Sequence, residues 1–136
     1  MDLIEERLIT LLDAATAHPP VYRTQIAAAI YHKNKFVALG HNSYKTHPFQ
    51  ARFGRHVDCI YLHAETDVIK NALKYLDIHT IKKSSLYVAR IKWLDGNKKE
   101  MVQGLARPCS GCQRAIAAFG IEQVFYTLDD EGYSML

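Results

Sequence analysis

The chain has 136 residues, a length typical of one domain, and we expect a single domain over residues 1–136. Hydrophobic residues make up 49% and charged residues 23%, the balance of an ordinary soluble globular protein. The net charge is +3, but the sequence lacks the dense stripe of Lys and Arg that is typical of proteins that bind a nucleic-acid duplex. No apolar run approaches the roughly 18 residues of a membrane span, and no basic leader precedes an apolar stretch. We therefore expect a cytoplasmic protein with no membrane partner.

Hydrophobic periodicity, interrupted by proline and glycine, predicts alternating helices and strands. In chain order the predicted elements are a helix at Leu3–Ala17, strands at Val21–Tyr31 and Lys35–Gly40 joined by a turn at 32–34, a loop at 42–58, a helix at His63–Leu76, a strand at Leu86–Leu94, a helix at Ser110–Phe119 capped by Gly120, and a strand at Ile121–Leu128. Residues 101–106 either extend the sheet or lead into the next helix. The structure of the tail at 129–136 is left open.

This order of elements predicts an α/β protein in which helices pack on one sheet. The joins that precede His63 and Cys109 both run from strand to helix, so they bring two helix N-termini to the same edge of the sheet. Ligands bind at such edges in open α/β sheets.

The residues at these two helix starts have metal-binding chemistry. One helical turn separates Cys109 from Cys112, so two thiolates can reach one ion. Zinc binds thiolate sulfur at about 2.3 Å and imidazole nitrogen, here from His63, at about 2.0–2.1 Å. Three protein ligands leave a fourth position for water, as in catalytic zinc sites. The partial positive charge of a helix N-terminus favours thiolates, and Pro108 fits just before the helix, where a missing N–H costs least.

Glu65 follows His63 by two residues. Two positions on a regular helix differ by about 200°, so a fully helical His63 would point away from Glu65. The first residue of a helix need not itself be helical. In that case the carboxylate of Glu65 reaches the fourth position of the metal without binding it.

Together the two motifs resemble the signature of zinc-dependent cytidine and deoxycytidylate deaminases, H-x-E followed by P-C-x-x-C. The match lies at residues 63–65 and 108–112, and the order of elements agrees from about Val21 to Leu128. The resemblance implies a three-layer α/β fold, with helices on both faces of a central mixed sheet of four to five strands. It implies that His63, Cys109 and Cys112 bind Zn²⁺, that Glu65 transfers protons, and that Ala64 and Pro108 contact the substrate.

The resemblance also suggests substrate contacts before the first motif. Asn42, just after the second strand, matches a family residue that hydrogen-bonds the sugar, although an asparagine after Gly40 is also typical of a turn. The loop that follows carries Lys45, Arg52 and Arg55, which have the charge to bind a 5′-phosphate. Solvated surface charges are the alternative interpretation of these three residues.

We therefore predict a hydrolase of pyrimidine salvage that releases ammonia from a free cytosine nucleotide or nucleoside. The favoured substrate is dCMP, ahead of deoxycytidine and cytidine. One alternative is a base deaminase acting on single-stranded RNA, DNA or tRNA. Only eight residues follow the last predicted strand, so we do not expect the extra helix–strand pair of nucleic-acid-acting members or polynucleotide binding. Small members of the family are commonly oligomers, which implies a homodimer, tetramer or hexamer.

Other interpretations of the cysteines remain open. A non-catalytic zinc-binding interaction module requires a fourth protein ligand, and Cys59, the third cysteine, has no paired ligand beside it. We interpret Cys59 as a small buried residue. A redox Cys-x-x-Cys would not require the upstream His-x-Glu.

Overall fold

The computed structural model describes five stretches of the chain, residues 2–17, 24–43, 48–53, 63–94 and 100–136. Five helices and six strands lie within them: α1 (Leu3–Ala17), β1 (Thr24–His32), β2 (Lys35–His41), α2 (Pro48–Phe53), α3 (Ala64–Ala72), α4 (Ile78–Ile81), β3 (Ser85–Trp93), β4 (Met101–Gly104), α5 (Ser110–Ala118), β5 (Gln123–Thr127) and β6 (Tyr133–Met135). No helix in these stretches is long and apolar enough to cross a bilayer.

The strands form one mixed sheet in the order β2-β1-β3-β5-β6, and β4 also pairs with β3. The pairing of β3 with β5 is parallel and all other pairings are antiparallel. The predicted mixed sheet is confirmed, with six strands instead of four to five. The two short strands account for the difference, since residues 101–104 do extend the sheet and the tail adds β6 beside β5.

Both faces of the sheet are covered, because alternate residues of a strand point to opposite sides. In β1, Ala28 and Ile30 belong to the core that includes Ile69 of α3 and Ile116 of α5. Their neighbours in β1, at 27 and 29, belong to the second core, which α1 covers. The predicted three-layer arrangement, with helices on both faces, is therefore confirmed.

Several predicted elements agree closely with the structure. The first helix has the predicted bounds, and the turn between β1 and β2 contains Lys33 and Asn34 at positive φ of 49° and 63°. Positive φ at both central residues is typical of a tight hairpin with a type I′ turn. Gly120, at φ 72°, directly follows the C-cap residue of α5 and confirms the predicted left-handed cap.

Two predicted elements are wrong. The loop predicted at 42–58 contains a helix, α2, which begins at Pro48, where proline is favoured. The helix predicted to continue to Leu76 ends at Ala72, and a separate α4 follows. Asp77 starts α4 by accepting a hydrogen bond from the Thr80 backbone N–H at 2.8 Å.

Gly40 of β2 brings the strand into close contact with the start of α3. A Cβ atom at this position would lie 2.4 Å from the backbone nitrogen of Val68 and 2.7 Å from the carbonyl oxygen of Ala64. Backbone atoms cannot rotate away as a side chain can. The absence of a side chain at Gly40 therefore lets β2 support the helix that carries Glu65.

We expect Gly40→Ala to lower the free energy of unfolding by about 1–3 kcal/mol or more, as overpacked cores do, because α3 must move off the sheet. Chemical denaturation measures this loss. Gly104→Ala is the matched control, since its Cβ would meet only the flexible side chains of Arg90 and Lys92, at 3.2 Å. Equal losses in the two variants would contradict the tight packing of β2 on α3.

Candidate active site

Two metal-binding candidates are the N-cap residues of their helices. His63 precedes α3 with φ −89° and ψ 158°, and Cys109 precedes α5 with φ −68° and ψ 169°. Their carbonyl oxygens accept the first helical hydrogen bonds, from the N–H groups of Asp67 at 2.9 Å and Gln113 at 2.8 Å. Neither side chain caps its own helix. Both side chains therefore remain available for a ligand.

The side chains of His63, Cys109 and Cys112 converge. The Nδ1 atom of His63 lies 3.5 Å from the Cys109 sulfur and 3.3 Å from the Cys112 sulfur, and the three donor atoms lie within 4.8 Å of one another. No other group of three or more His, Cys, Asp or Glu side chains in the described stretches is arranged to hold a metal ion.

The spacing of these donors fits zinc. Nitrogen and sulfur bound tetrahedrally at usual zinc distances would lie about 3.6 Å apart, close to the two separations from Nδ1. Imidazole and thiolate donors are also the ones that zinc prefers. The residues present therefore suit Zn²⁺, as predicted.

The electrostatics of the cluster favour an ionised sulfur. The pKa of Cys109 falls to about 3, chiefly because the Cys112 thiol donates a hydrogen bond to it and also because His63 is near. The pKa of Cys112 rises, because this thiol serves as the donor to Cys109 and is buried. The pKa of His63 rises chiefly through its hydrogen bond with Cys109. The cluster thus holds a thiolate ready for a cation.

Glu65 lies beside this cluster without belonging to it. Its side chain is buried, at 5% exposure, and burial raises the pKa of its carboxyl group while the nearby His63 lowers it. The extended backbone of His63 removes the 200° separation expected between two positions on a regular helix. A buried carboxyl group with a raised pKa beside a metal-binding cluster is suited to proton transfer.

Gln50, a fully buried residue of α2, was not among the site residues predicted from the sequence. Its Oε1 atom accepts hydrogen bonds from the backbone N–H of His63, at 3.1 Å, and from the hydroxyl of Thr66. Gln50 lies in the segment predicted as a loop, and no sequence motif there marks it as part of the site. Pro48, a favourable first residue of a helix, was the signal that a short helix begins there.

The predicted substrate contacts are only partly described. Asn42 is buried at the end of β2, and its Oδ1 atom accepts a hydrogen bond from the Ile26 N–H at 3.0 Å. Arg52 is exposed on α2, a helix that contacts both α3 and α5. Ala64 and Pro108 are buried next to His63 and Cys109. Three residues for which the sequence predicted a role or an environment, Lys45, Arg55 and Cys59, lie outside the described stretches.

A three-layer α/β fold with one histidine and two cysteine donors at two helix N-termini defines a zinc-binding protein of the deaminase class. The family model described as "Cytidine and deoxycytidylate deaminase zinc-binding region" matches residues 4–128. The chain belongs to this family, which confirms the resemblance in the sequence and supports a zinc-dependent hydrolytic deaminase.

One solved structure agrees with this assignment at the level of the fold. The apo structure of dCMP deaminase from the cyanophage S-TIM5 superposes with a TM-score of 0.61 and 20% identity, covering 94% of this chain and 86% of that one. A mutant cytidine deaminase from Mycobacterium tuberculosis gives a TM-score of 0.48 and 18% identity, covering 96% and 92%. No curated protein matches the chain in sequence.

Proposed function

We propose that this protein is a zinc-dependent hydrolase that deaminates a free cytosine nucleotide or nucleoside. The favoured substrate is dCMP, ahead of deoxycytidine and cytidine. The observation that carries the proposal is the convergence of one imidazole nitrogen and two sulfurs, with the buried carboxyl group of Glu65 beside them. An arrangement of three donors and one adjacent acid suits hydrolysis better than a purely structural role.

In this proposal His63, Cys109 and Cys112 hold the zinc, and Glu65 moves the protons. Zinc, when bound at such a site, supplies Lewis-acid activation of water. A carboxylate oxygen of Glu65 takes a proton from the attacking water and gives it to the ring nitrogen beside the amine-bearing carbon. The remaining hydroxyl proton on that carbon then passes through Glu65 to the amine, and the C–N bond breaks as the carbonyl forms, so that the amine leaves as ammonia. The burial of Glu65 supports this shuttle, because burial raises the pKa of the carboxyl group and so makes its carboxylate form a stronger proton acceptor.

A nucleotide is favoured over a nucleoside by the positive charge of three side chains and by the structural likeness to a dCMP deaminase. We propose that Lys45, Arg52 and Arg55 bind the 5′-phosphate and that Ala64 and Pro108 line the base pocket. The structural neighbour from the cyanophage is named a dCMP deaminase, which favours dCMP as the first substrate to test. A role in pyrimidine salvage and a cytoplasmic location follow from the same proposal and stay predictions.

One assay tests the substrate. Zinc-loaded protein is incubated with dCMP, deoxycytidine, cytidine, and adenine and guanine nucleosides and nucleotides, and both ammonia and ultraviolet absorbance are followed. We expect ammonia from dCMP in the absence of any polynucleotide. Ammonia from single-stranded RNA, DNA or tRNA alone, with none from free cytosine compounds, would instead support the polynucleotide alternative.

We propose that Asn42, which is buried at the end of β2, contacts the sugar through its amide NH₂ group, while its Oδ1 atom accepts the hydrogen bond from the Ile26 N–H. Asn42→Asp keeps an oxygen for Ile26 and removes the NH₂ donor. We expect kcat/KM to fall about 5- to 150-fold, the equivalent of one lost polar contact of about 1–3 kcal/mol. A fall in melting temperature with unchanged kcat/KM would assign Asn42 to the hairpin alone.

We also propose a homo-oligomer, a dimer, tetramer or hexamer, as is common for small members of the family. Large apolar side chains are exposed on the described surface, among them Phe36 at 56%, Tyr75 at 74% and Ile78 at 61%. Light scattering coupled to size-exclusion chromatography gives the mass of the particle in solution, and a monomer would contradict this proposal.

A further inference from the structure

The side chain of Gln50 has a fixed orientation at the metal-binding cluster. A backbone N–H can only donate, so the atom of Gln50 that meets the His63 N–H must be the amide oxygen, Oε1. The hydroxyl of Thr66 shares that oxygen. The NH₂ group of Gln50 must therefore point the other way.

The NH₂ group of Gln50 is an orphan donor. Its nitrogen, Nε2, is buried and makes no hydrogen bond of normal geometry with any residue in the described stretches. A buried donor left without a partner costs about 1–3 kcal/mol, and native proteins satisfy nearly all such groups. An atom able to accept a hydrogen bond is therefore expected within its reach.

The acceptor that the structure offers is the sulfur of Cys112. The side chain of Gln50 is among the groups that interact with the side chain of Cys112. The helices that carry the two residues, α2 and α5, are also in contact. A cysteine that binds a metal does so as a thiolate, and a thiolate accepts hydrogen bonds better than a thiol does.

We propose that Gln50 is a positioning residue of the metal centre, whose Oε1 fixes the backbone of His63 while its Nε2 donates a hydrogen bond to the metal-bound sulfur of Cys112. One side chain thus links ligands that are 49 residues apart in sequence. The buried donor acquires its partner when the sulfur binds the metal as a thiolate. This inference rests on the metal site of the proposed function and is independent of the substrate.

The test uses metal affinity and the spectrum of the cobalt-substituted protein, neither of which requires turnover. Gln50→Glu keeps the length and one oxygen for His63 but loses the NH₂ donor, and Gln50→Met loses both interactions at similar volume. We expect each to weaken zinc binding about 10- to 100-fold in competition with a chelator, the usual effect of losing a hydrogen bond to a ligand. We also expect the sulfur-to-cobalt charge-transfer band to move to longer wavelength, because an unbonded thiolate gives up its electron more readily.

Gln25→Met is the matched control. Gln25 is also buried, at 4% exposure, but its Nε2 donates to the Ala15 carbonyl oxygen on the α1 side of the sheet. We expect this variant to lose stability while keeping the wild-type zinc affinity and cobalt band. If Gln50→Met does not fold, Gln50→Glu decides the question.

The possible failures are distinguishable. Wild-type protein that binds no stoichiometric zinc contradicts the metal site itself and with it the proposed function. Wild-type protein that binds zinc, together with Gln50 variants whose affinity and cobalt band are unchanged, overturns the role of Gln50 alone. A weaker affinity with an unchanged band would also overturn the hydrogen bond to sulfur, because loss of the His63 contact would then explain the effect.

Discussion

Glu65→Gln is expected to keep its zinc and to lose nearly all turnover. The amide has the size of the carboxyl group and fills the same buried space, but it cannot accept and release a proton. Positioned acid–base groups contribute about 10²- to 10⁴-fold to a rate, so we expect kcat to fall by at least about 10²-fold on the best substrate. Steady-state assays give the loss of activity, and elemental analysis gives the zinc content of the same sample.

Glu122→Gln makes the same chemical change on an exposed residue between α5 and β5 and serves as the control. It should retain both zinc and activity. Normal turnover by Glu65→Gln would end the proposal that this carboxyl group moves protons. Loss of zinc from Glu65→Gln would instead show that the carboxyl group supports the metal, and activity would then fall for a different reason.

The fold was predictable wherever an element carries its own periodic pattern. Helix α1 has apolar residues at helical spacing over its full length, and its bounds were predicted correctly. Helices α2 and α4 have six and four residues, and strand β6 has three. Elements this short contain too few residues for a helical or strand-like hydrophobic period to be recognised in the sequence. Their stability comes from contacts with the rest of the chain, such as the pairing of β6 with β5.

The cluster of His63, Cys109 and Cys112 was predictable because each motif is local and its chemistry is specific. The spacing of Cys109 and Cys112 indicates one ion, and the helix start at His63 explains how Glu65 can share the site. The hydrogen bonds of Gln50 and Asn42 depend instead on contacts across the fold. Gln50 meets a backbone N–H 13 residues later, and Asn42 meets one 16 residues earlier. No spacing rule connects such pairs before the fold is known.

Cys112→Ala is expected to abolish stoichiometric zinc binding. Cys112 is completely buried in the first turn of α5, and its removal leaves only His63 and Cys109 from the cluster. Two ligands hold zinc far more weakly than three, and the binding energy of a metal adds to the free energy of folding. We therefore expect a zinc content near zero and a melting temperature close to that of the wild-type protein after chelation.

Ile116→Val separates this effect from damage to the core. Ile116 is buried one turn further along α5, and its substitution removes a methylene without touching a donor atom. The substitution should lower the free energy of unfolding by about 0.5–1.5 kcal/mol. The variant should keep its zinc, so that chelation lowers its melting temperature as in the wild-type protein. The melting temperature of Cys112→Ala should not respond to chelation at all. A Cys112→Ala protein that still binds one zinc ion per chain would show that the metal is held elsewhere, and the proposed role of the three donors would be wrong.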